Sequence, residues 1–243
     1  MKLVERLKQK TEANVENRTP VIAFLGDSVT QGCFEIWREN GRIRTVFDSG
    51  EAYSEKVKKI LATLYPQAPV AVVNVGVNGD SAPSGARRFE RDVISVHPDL
   101  LVVCYGLNDC DKEMEGLAEY KSGLKSIFTQ AKEAGIETIF MTPNMMNTYT
   151  DKRRLEESFY ALGDLVARRQ LDGLFDAYME AAREVCKEEN IQICDCYAIW
   201  KQMYASGVDV TALLSNCINH PTREMHYLFA WELVKTMLKG ENV

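Results

Sequence analysis

The sequence predicts an α/β fold in which a parallel sheet is covered by helices on both faces. Apolar runs such as "VAVVNV" and "LLVVCY" do not alternate polar with apolar residues, which is typical of strands buried on both faces. Segments with helical periodicity separate these runs, as in a sheet built from strand-helix-strand units. With 243 residues, 46% of them hydrophobic, the chain is long enough to bury a substantial core.

The strands and helices alternate along the whole chain. Strands are predicted at 21–25, 70–75, 100–105, 136–141 and 191–194. Helices are predicted over 1–17 and near 51–64, 84–95, 115–134, 158–189 and 223–238. No repeat or Pro/Gly-rich linker divides the chain, so we expect one domain over 1–243. It has an N-terminal helical arm at 1–19 and a helical insertion or cap at 145–189. The arm is amphipathic and needs a surface to cover, on its own domain or on a second copy in a homodimer.

The amino-acid composition indicates the kind of partner that the protein binds and the cellular compartment in which it is expected. A formal net charge of −6 argues against a dominant nucleic-acid surface, so we expect a small-molecule partner and no nucleic acid. The seven cysteines form no C-x-x-C pair, and several lie in apolar runs, which suits a reducing compartment. The N-terminus lacks the apolar stretch of a signal peptide, and no run approaches the ~18 apolar residues of a membrane span. The expected location is the cytoplasm.

Candidate functional residues follow the predicted strands. In an open α/β sheet, ligands bind outside the carboxyl ends of the strands, where the connecting loops converge. The first strand is followed by Gly26-Asp27-Ser28, the second by "NVGVNGDS", the third by "GLNDC" and the fourth by "TPNMMNTYT". Three of these four loops carry small or amide residues, which suit close backbone approach and hydrogen-bond donation.

A serine at this edge needs a base and donors for an oxyanion before it can act as a nucleophile. The chain has three histidines. His97 precedes the third strand, at the wrong edge of the sheet, and His226 fits the apolar pattern of the last helix. His220 lies in the irregular stretch "SNCINHPT" and is the histidine free to reach the carboxyl edge. The alternative for Ser28 is that it only caps the helix that follows.

Four blocks together resemble a known family. "FLGDSVTQG", "VVNVGVNGDS", "VVCYGLND" and "INHPT", in this order, are similar to the motif blocks of the SGNH (GDSL-type) esterases and lipases, and they span residues 24 to 222. The resemblance implies a three-layer α/β/α sandwich, flavodoxin-like, with a central parallel sheet of about five strands. It also implies a serine hydrolase that uses neither a metal nor a cofactor.

The resemblance assigns roles to four residues. Ser28 would be the nucleophile, and His220 would be the general base and then the acid for the leaving alkoxide. The backbone N–H of Gly79 and the side-chain amide of Asn108 would form the oxyanion hole, with the N–H of Ser28 as a third donor. The alternative for Gly79 and Asn108 is a role in turns. A flavodoxin-like nucleotide binder is disfavoured, because neither G-x-x-x-x-G-K-[ST] nor G-x-G-x-x-G after a strand is present.

One position departs from the family pattern. The last block of the family usually reads Asp-x-x-His-Pro, and this chain has Cys217 where the aspartate would orient the histidine. A thiol is a weak acceptor. Three alternatives follow: a Ser-His dyad whose ring is held by a backbone carbonyl, another carboxylate such as Asp209 or Glu224, or a weak or inactive module that binds an ester or carbohydrate.

The substrate is predicted from the loop after the fourth strand. Beside polar and basic residues, this loop supplies only Met145, Met146 and Tyr149 as large apolar groups, which indicates a small pocket for a short acyl group. The predicted function is therefore hydrolysis of acetyl-type esters of a sugar or small metabolite. Asp27, Met145 and Asn147 are the candidate substrate-lining residues, although the methionine pair is equally consistent with ordinary packing.

Overall fold

The five predicted strands form one parallel sheet. The computed structural model describes residues 1–239. The last four residues of the expected domain lie outside the described residues. In chain order the strands are β1 (Val21–Gly26), β2 (Cys33–Glu39), β3 (Arg42–Phe47), β4 (Ala71–Asn74), β5 (Leu100–Cys104), β6 (Glu137–Met141) and β7 (Gln192–Cys194). Five of them lie side by side in the order β4-β1-β5-β6-β7, and every neighbouring pair is parallel. The predicted fold class is confirmed.

Helices cover both faces of this sheet. They are α1 (Lys2–Glu12), α2 (Ser28–Gln31), α3 (Tyr53–Leu64), α4 (Ala82–Arg87), α5 (Phe89–Asp92), α6 (Leu117–Glu133), α7 (Tyr160–Leu171), α8 (Leu174–Glu188), α9 (Cys196–Ala205) and α10 (His226–Leu238). Helices α3 and α10 pack together on one face, and α4, α6 and α8 pack on the other. The three central strands β1, β5 and β6 are almost wholly buried, as their uninterrupted apolar runs predict, whereas the edge strands β4 and β7 are only partly buried.

The strand order places a crevice beside the first strand. Strand β1 lies between β4 and β5, so the direction in which strands are added to the sheet reverses at β1. An open parallel sheet binds its ligand at such a switch point, outside the carboxyl ends of the strands. The loops that follow β1, β4 and β5 therefore meet at one place on the carboxyl edge.

A β-hairpin that the sequence analysis missed stands beside this edge. Strands β2 and β3 pair antiparallel as a separate two-stranded sheet, joined by Asn40 and Gly41. Both turn residues have positive φ, +51° and +73°, as a two-residue hairpin turn requires. The signal was present in the sequence, because Asn-Gly between two runs rich in β-branched and aromatic residues is the strongest short-range sign of a hairpin.

The helix boundaries differ from the prediction where tertiary contacts interrupt a periodic pattern. The predicted helix near 84–95 breaks at Arg88, whose guanidinium donates to the carbonyl of Val75 at 2.7 Å. The predicted helix over 158–189 is two helices, separated at Gly173, which has a φ of +81°. Helix α9 was not predicted; its first turn is capped by Asp195, which accepts from the N–H of Ala198.

The N-terminal helix covers its own domain. It ends at Glu12, earlier than predicted, and its Leu3 and Leu7 are fully buried in the common core. Asp99, just before β5, fixes the following segment by accepting from Arg18 and from the backbone N–H of Val21 at 2.9 Å. All seven cysteines are buried free thiols. No helix among residues 1–239 is both long and apolar enough to cross a membrane.

We predict that Gly26→Ala lowers the free energy of unfolding by about 1–3 kcal/mol, the usual cost of overpacking. Gly26 is the last residue of β1, and an added Cβ would lie 2.6 Å from the carbonyl oxygen of Cys104 and 2.1 Å from Oγ1 of Thr30. Urea unfolding measures the change. Gly50→Ala is the matched control, because its Cβ would meet nothing closer than 3.7 Å. Equal stability of the two variants would contradict the prediction.

Candidate active site

Ser28 begins a one-turn helix directly after β1. Asp27 caps this turn, since its Oδ1 accepts from the N–H of Val29 at 2.9 Å. Gly32 ends the turn in the left-handed region, with a φ of +91°. The hydroxyl of Thr30, in the same turn, hydrogen-bonds the buried hydroxyl of Tyr53 at 2.8 Å. The turn is therefore fixed at both ends and along its buried side, and Ser28 lies at the floor of a cleft.

His220 reaches Ser28 across the cleft. Its Nε2 lies 3.0 Å from Oγ of Ser28, and its Nδ1 lies 2.9 Å from the carbonyl oxygen of Phe34, at the start of the hairpin. Because a carbonyl can only accept, Nδ1 carries the ring proton and Nε2 offers its lone pair to the serine hydroxyl. This tautomer is the one that a general base for Ser28 requires.

The loop that carries His220 is organised by Asn216, a residue that the sequence analysis did not single out. Its Oδ1 accepts from the backbone N–H groups of Ile218, Asn219 and His220, at 3.0, 2.9 and 2.9 Å. The carbonyl of His220 in turn accepts from the N–H of Ser215 at 2.7 Å. An asparagine whose side chain bonds backbone groups two to four residues ahead is a common turn device, so the signal was available.

No carboxylate among residues 1–239 bonds the ring of His220. Cys217 is buried in the left-handed region, with a φ of +57°. Asp209 accepts from the hydroxyl of Tyr149 at 2.7 Å and from the N–H of Ala212. Of the groups considered in place of the missing aspartate, the one that bonds the ring is a backbone carbonyl, that of Phe34.

The two predicted oxyanion donors lie on neighbouring loops that are tied together. One amide hydrogen of Asn108 donates to the carbonyl of Asp80 at 2.8 Å, which leaves its second hydrogen for the cleft. Gly79 has a φ of +76°, and a Cβ there would find no heavy atom within 4 Å. The Asp80 carboxylate is held by Arg88, at 2.6 Å, and by the hydroxyl of Tyr105, at 2.8 Å. These hydrogen bonds hold in place the two loops that carry the oxyanion donors.

Burial governs the ionisation of the site. Loss of water around the ring lowers the pKa of His220 to about 4, against the partly opposing effects of the Phe34 carbonyl and of Glu35. Burial also raises the pKa of Asp27 to about 7 and that of Asp109 to about 7. Each of these carboxyls accepts from a backbone N–H, and each has one oxygen without a partner among the described residues.

The cleft above Ser28 has a volume of about 390 Å³. The hairpin contributes one wall and α7 contributes the other. The lining residues are Ser28, Ile36, Ile43, Thr45, Asn78, Leu107, Asn108, Asp111, Met146, Leu162, Val166, Asn216, Ile218, Asn219 and His220. Gly79 lines an adjoining cavity of about 300 Å³, which shares Asn108 and Asp111 with the cleft.

The structure places the three candidate substrate-lining residues behind the cleft surface. Asp27 caps the serine turn, Met145 is buried in the core, and Asn147 donates to the carbonyls of Tyr149 and Gly163. None of the three belongs to the lining set, and Met146 is the methionine of the pair that does. The sequence could not separate them, because which of two adjacent loop residues faces inward depends on the fold around them.

A further contact joins the hairpin to the segment before α7. The N–H of Arg38, in β2, donates to the carboxylate of Glu156 at 2.9 Å, and the Arg38 guanidinium lies 5.1 Å from the ring centre of Phe159. The two elements that line opposite sides of the cleft are therefore attached to each other.

Comparison with known proteins places the chain in a family. A model of the GDSL-like lipase/acylhydrolase family matches residues 24–228. The chain belongs to this family. The match confirms the predicted resemblance, and with it the predicted class of enzyme, a carboxylic ester hydrolase.

Individual family relatives are distant in sequence. An acetylxylan esterase from Geobacillus stearothermophilus is 24% identical over 196 residues, which cover 75% of this chain and 78% of the relative. The solved structure of a catalytic mutant of an acetylxylan esterase from the same organism has a TM-score of 0.66 at 22% identity and covers 91% of this chain and 95% of that one. A gut microbial diltiazem-metabolizing enzyme has a TM-score of 0.68 at 19% identity, covering 90% of this chain and 47% of that one.

We predict that kcat/KM for a small ester falls only as the pH drops through about 4, because the buried ring of His220 stays neutral above that value. Below it, the added proton occupies the Nε2 lone pair that Ser28 needs. By linkage, the folded state also loses stability as the pH falls from 6.5, since the unfolded chain then binds a proton that the folded chain excludes. A pH–rate profile measures the first effect, and urea unfolding at each pH measures the second. Titration of the His220 ring near 6.5 in ¹⁵N NMR spectra would contradict the prediction.

We predict that Cys217→Asp does not raise kcat. The Nδ1 proton of His220 already has its acceptor, and burial raises the pKa of the Cys217 thiol, so position 217 disfavours a charged group. A carboxylate buried there would lower the free energy of unfolding by about 1–3 kcal/mol. Steady-state kinetics and urea unfolding test this, with Cys217→Ser as the neutral control. A clear gain in kcat for the aspartate variant alone would show that the ring can turn to a carboxylate at this position.

Proposed function

We propose that this protein is a serine esterase that removes acetyl-type groups from the hydroxyls of a sugar or another small polyol, with Ser28 as nucleophile and His220 as base. The observation that carries the proposal is the 3.0 Å contact between Oγ of Ser28 and Nε2 of His220. A serine that merely capped a helix would not need a buried imidazole whose tautomer is set to take its proton.

The proposed reaction follows from these contacts. Oγ of Ser28 attacks the ester carbonyl while its proton passes to Nε2 of His220. The negative charge that develops on the carbonyl oxygen is met by the N–H groups of Ser28, Gly79 and the Asn108 amide. His220 then returns the proton to the leaving alkoxide, and water, deprotonated by the same nitrogen, hydrolyses the acyl-enzyme.

The cleft supports a short acyl group. Its volume of about 390 Å³ has to hold both the acyl chain and part of the alcohol. Leu107, Met146 and Ile218 supply apolar surface, and the hairpin is attached to the segment before α7 through Arg38 and Glu156. A long acyl chain would have to separate the two walls.

The polar part of the lining supports an alcohol rich in hydroxyls. Asn78 and Asn219 line the cleft, together with Thr45 and Asp111. Amide groups both donate and accept, which matches the mixed hydrogen bonding of sugar hydroxyls. The acetylxylan esterases from Geobacillus stearothermophilus that this chain resembles agree with an acetylated sugar as the substrate class.

We predict that the wild type hydrolyses p-nitrophenyl acetate faster than the butyrate and octanoate esters, and that it releases acetate from acetylated xylose and xylo-oligosaccharides. Ser28→Ala and His220→Ala should lower kcat by at least about 10³-fold, as expected for removal of a nucleophile or its base. Ser81→Ala, a serine beside the site with no assigned role in the reaction, is the matched control. Equal rates for wild type and Ser28→Ala would leave only the binding-module alternative.

A further inference from the structure

The acceptor for His220 Nδ1 is a backbone group, so its position depends on the hairpin that carries it. Strand β2 pairs with β3 at Cys33 opposite Phe47 and again at Ile36 opposite Thr45. Two residues of β2, Phe34 and Glu35, therefore stand opposite a single residue of β3, which is a β-bulge. In a bulge, a backbone group lacks its partner on the neighbouring strand. Here that group is the carbonyl of Phe34, which accepts from the imidazole of His220.

A bulge at the base of a two-stranded hairpin is not held by a surrounding sheet. The hairpin pairs with no strand of the central sheet within the described residues. A two-stranded ladder is only marginally stable by itself. The buried ring of Phe34 packs against His226, and the position of the Phe34 carbonyl depends on such contacts at the hairpin base.

Arg223 supplies contacts to both residues of the bulge. Its guanidinium donates to the two carboxylate oxygens of Glu35, at 2.6 and 3.2 Å, and lies 4.2 Å from the ring centre of Phe34. It also approaches the carboxylate of Asp48, just beyond β3, at 3.4 Å. One side chain thus touches β2 and the residue that follows β3, at the base of the hairpin.

Arg223 belongs to the same loop as His220. Pro221 bridges to Leu214, and the N–H of Thr222 donates to the carbonyl of Leu213 at 2.9 Å, so the backbone between His220 and Arg223 is fixed. The imidazole and the guanidinium leave this short segment and contact consecutive residues of β2. Because one short segment carries both side chains, it sets the position of the His220 ring relative to β2.

We propose that Arg223 is a positioning residue for the reaction: it holds the bulge of the hairpin so that the Phe34 carbonyl accepts the Nδ1 proton of His220, the task that an aspartate performs elsewhere in the family. This proposal rests on the function proposed above. A planar guanidinium suits the task, because it binds a carboxylate in a bidentate way and stacks on an aromatic ring at the same time.

The carboxylate of the pair also favours the reaction. Its charge favours the protonated form of His220, the form that appears when Ser28 attacks. Arg223 keeps this carboxylate at the hairpin base and lowers the pKa of Glu35, so that it stays ionised. The site therefore keeps an ionised carboxylate near the ring, paired with Arg223, although none among residues 1–239 bonds the ring itself.

The test is Arg223→Gln, which removes the charge and the bidentate contact at a partly exposed position. We expect kcat for p-nitrophenyl acetate to fall by about 10-fold to 100-fold, since a displacement near 1 Å can cost about 10²-fold, with KM little changed. The hydrogen-bonded Nδ1 proton of His220, assigned by its loss in His220→Gln, should broaden or disappear in the NMR spectrum. Arg223→Lys should recover part of kcat.

The matched control is Arg44→Gln, which removes an arginine-glutamate pair with Glu39 farther along the same hairpin. It should keep the wild-type kcat and the Nδ1 resonance. Equal kcat in Arg223→Gln and wild type, an unchanged resonance, or an equal loss in Arg44→Gln would overturn the proposal. If Arg223→Gln does not fold, Glu35→Gln replaces it as the test variant. It should lower kcat and broaden the Nδ1 resonance in the same way, but to a smaller extent.

The outcomes separate this proposal from the proposed function. The Nδ1 resonance is measured without substrate, so it reports on the role of Arg223 even if no ester is hydrolysed. If wild type and Ser28→Ala have equal rates, the proposed function fails. If Ser28→Ala is inactive while Arg223→Gln keeps full kcat and the resonance, only the positioning role fails.

Discussion

The hydrogen bond from His220 Nδ1 to the carbonyl of Phe34 is the contact on which the site depends. It selects the tautomer that leaves Nε2 free for Ser28, and it fixes the ring against the hairpin. A carbonyl is neutral, so it stabilises the imidazolium less than a carboxylate would. The protein therefore relies more on geometry than on a buried charge, and avoids the cost of desolvating an aspartate at that point.

Geometry of this kind requires support from several segments. The serine turn is capped by Asp27, the oxyanion loops are joined by Asn108 to the carbonyl of Asp80, and the histidine loop is organised by Asn216. Each support is a side chain that bonds backbone groups and so holds a loop in place. Such preorganised donors do not have to rearrange when charge develops during the reaction.

The sequence predicted the parallel sheet and the pairing of Ser28 with His220, because uninterrupted apolar runs and motif blocks are local signals. It did not identify Phe34, since a backbone acceptor has no side-chain signature and the bulge that exposes it arises only when β2 meets β3. It also predicted one continuous helix through Arg88, because the contacts that interrupt this helix come from residues distant in the chain. The Asn40-Gly41 turn is different: its signal was local and was overlooked.

The serine and its base lie 192 residues apart, near opposite ends of the chain. A chain cut off before the loop of His220 still contains the serine, but it has no base to take the hydroxyl proton. Because a domain generally folds as a unit, the two groups meet only when the whole domain has folded. Reactivity is therefore a property of the complete fold, and no single segment carries the site alone.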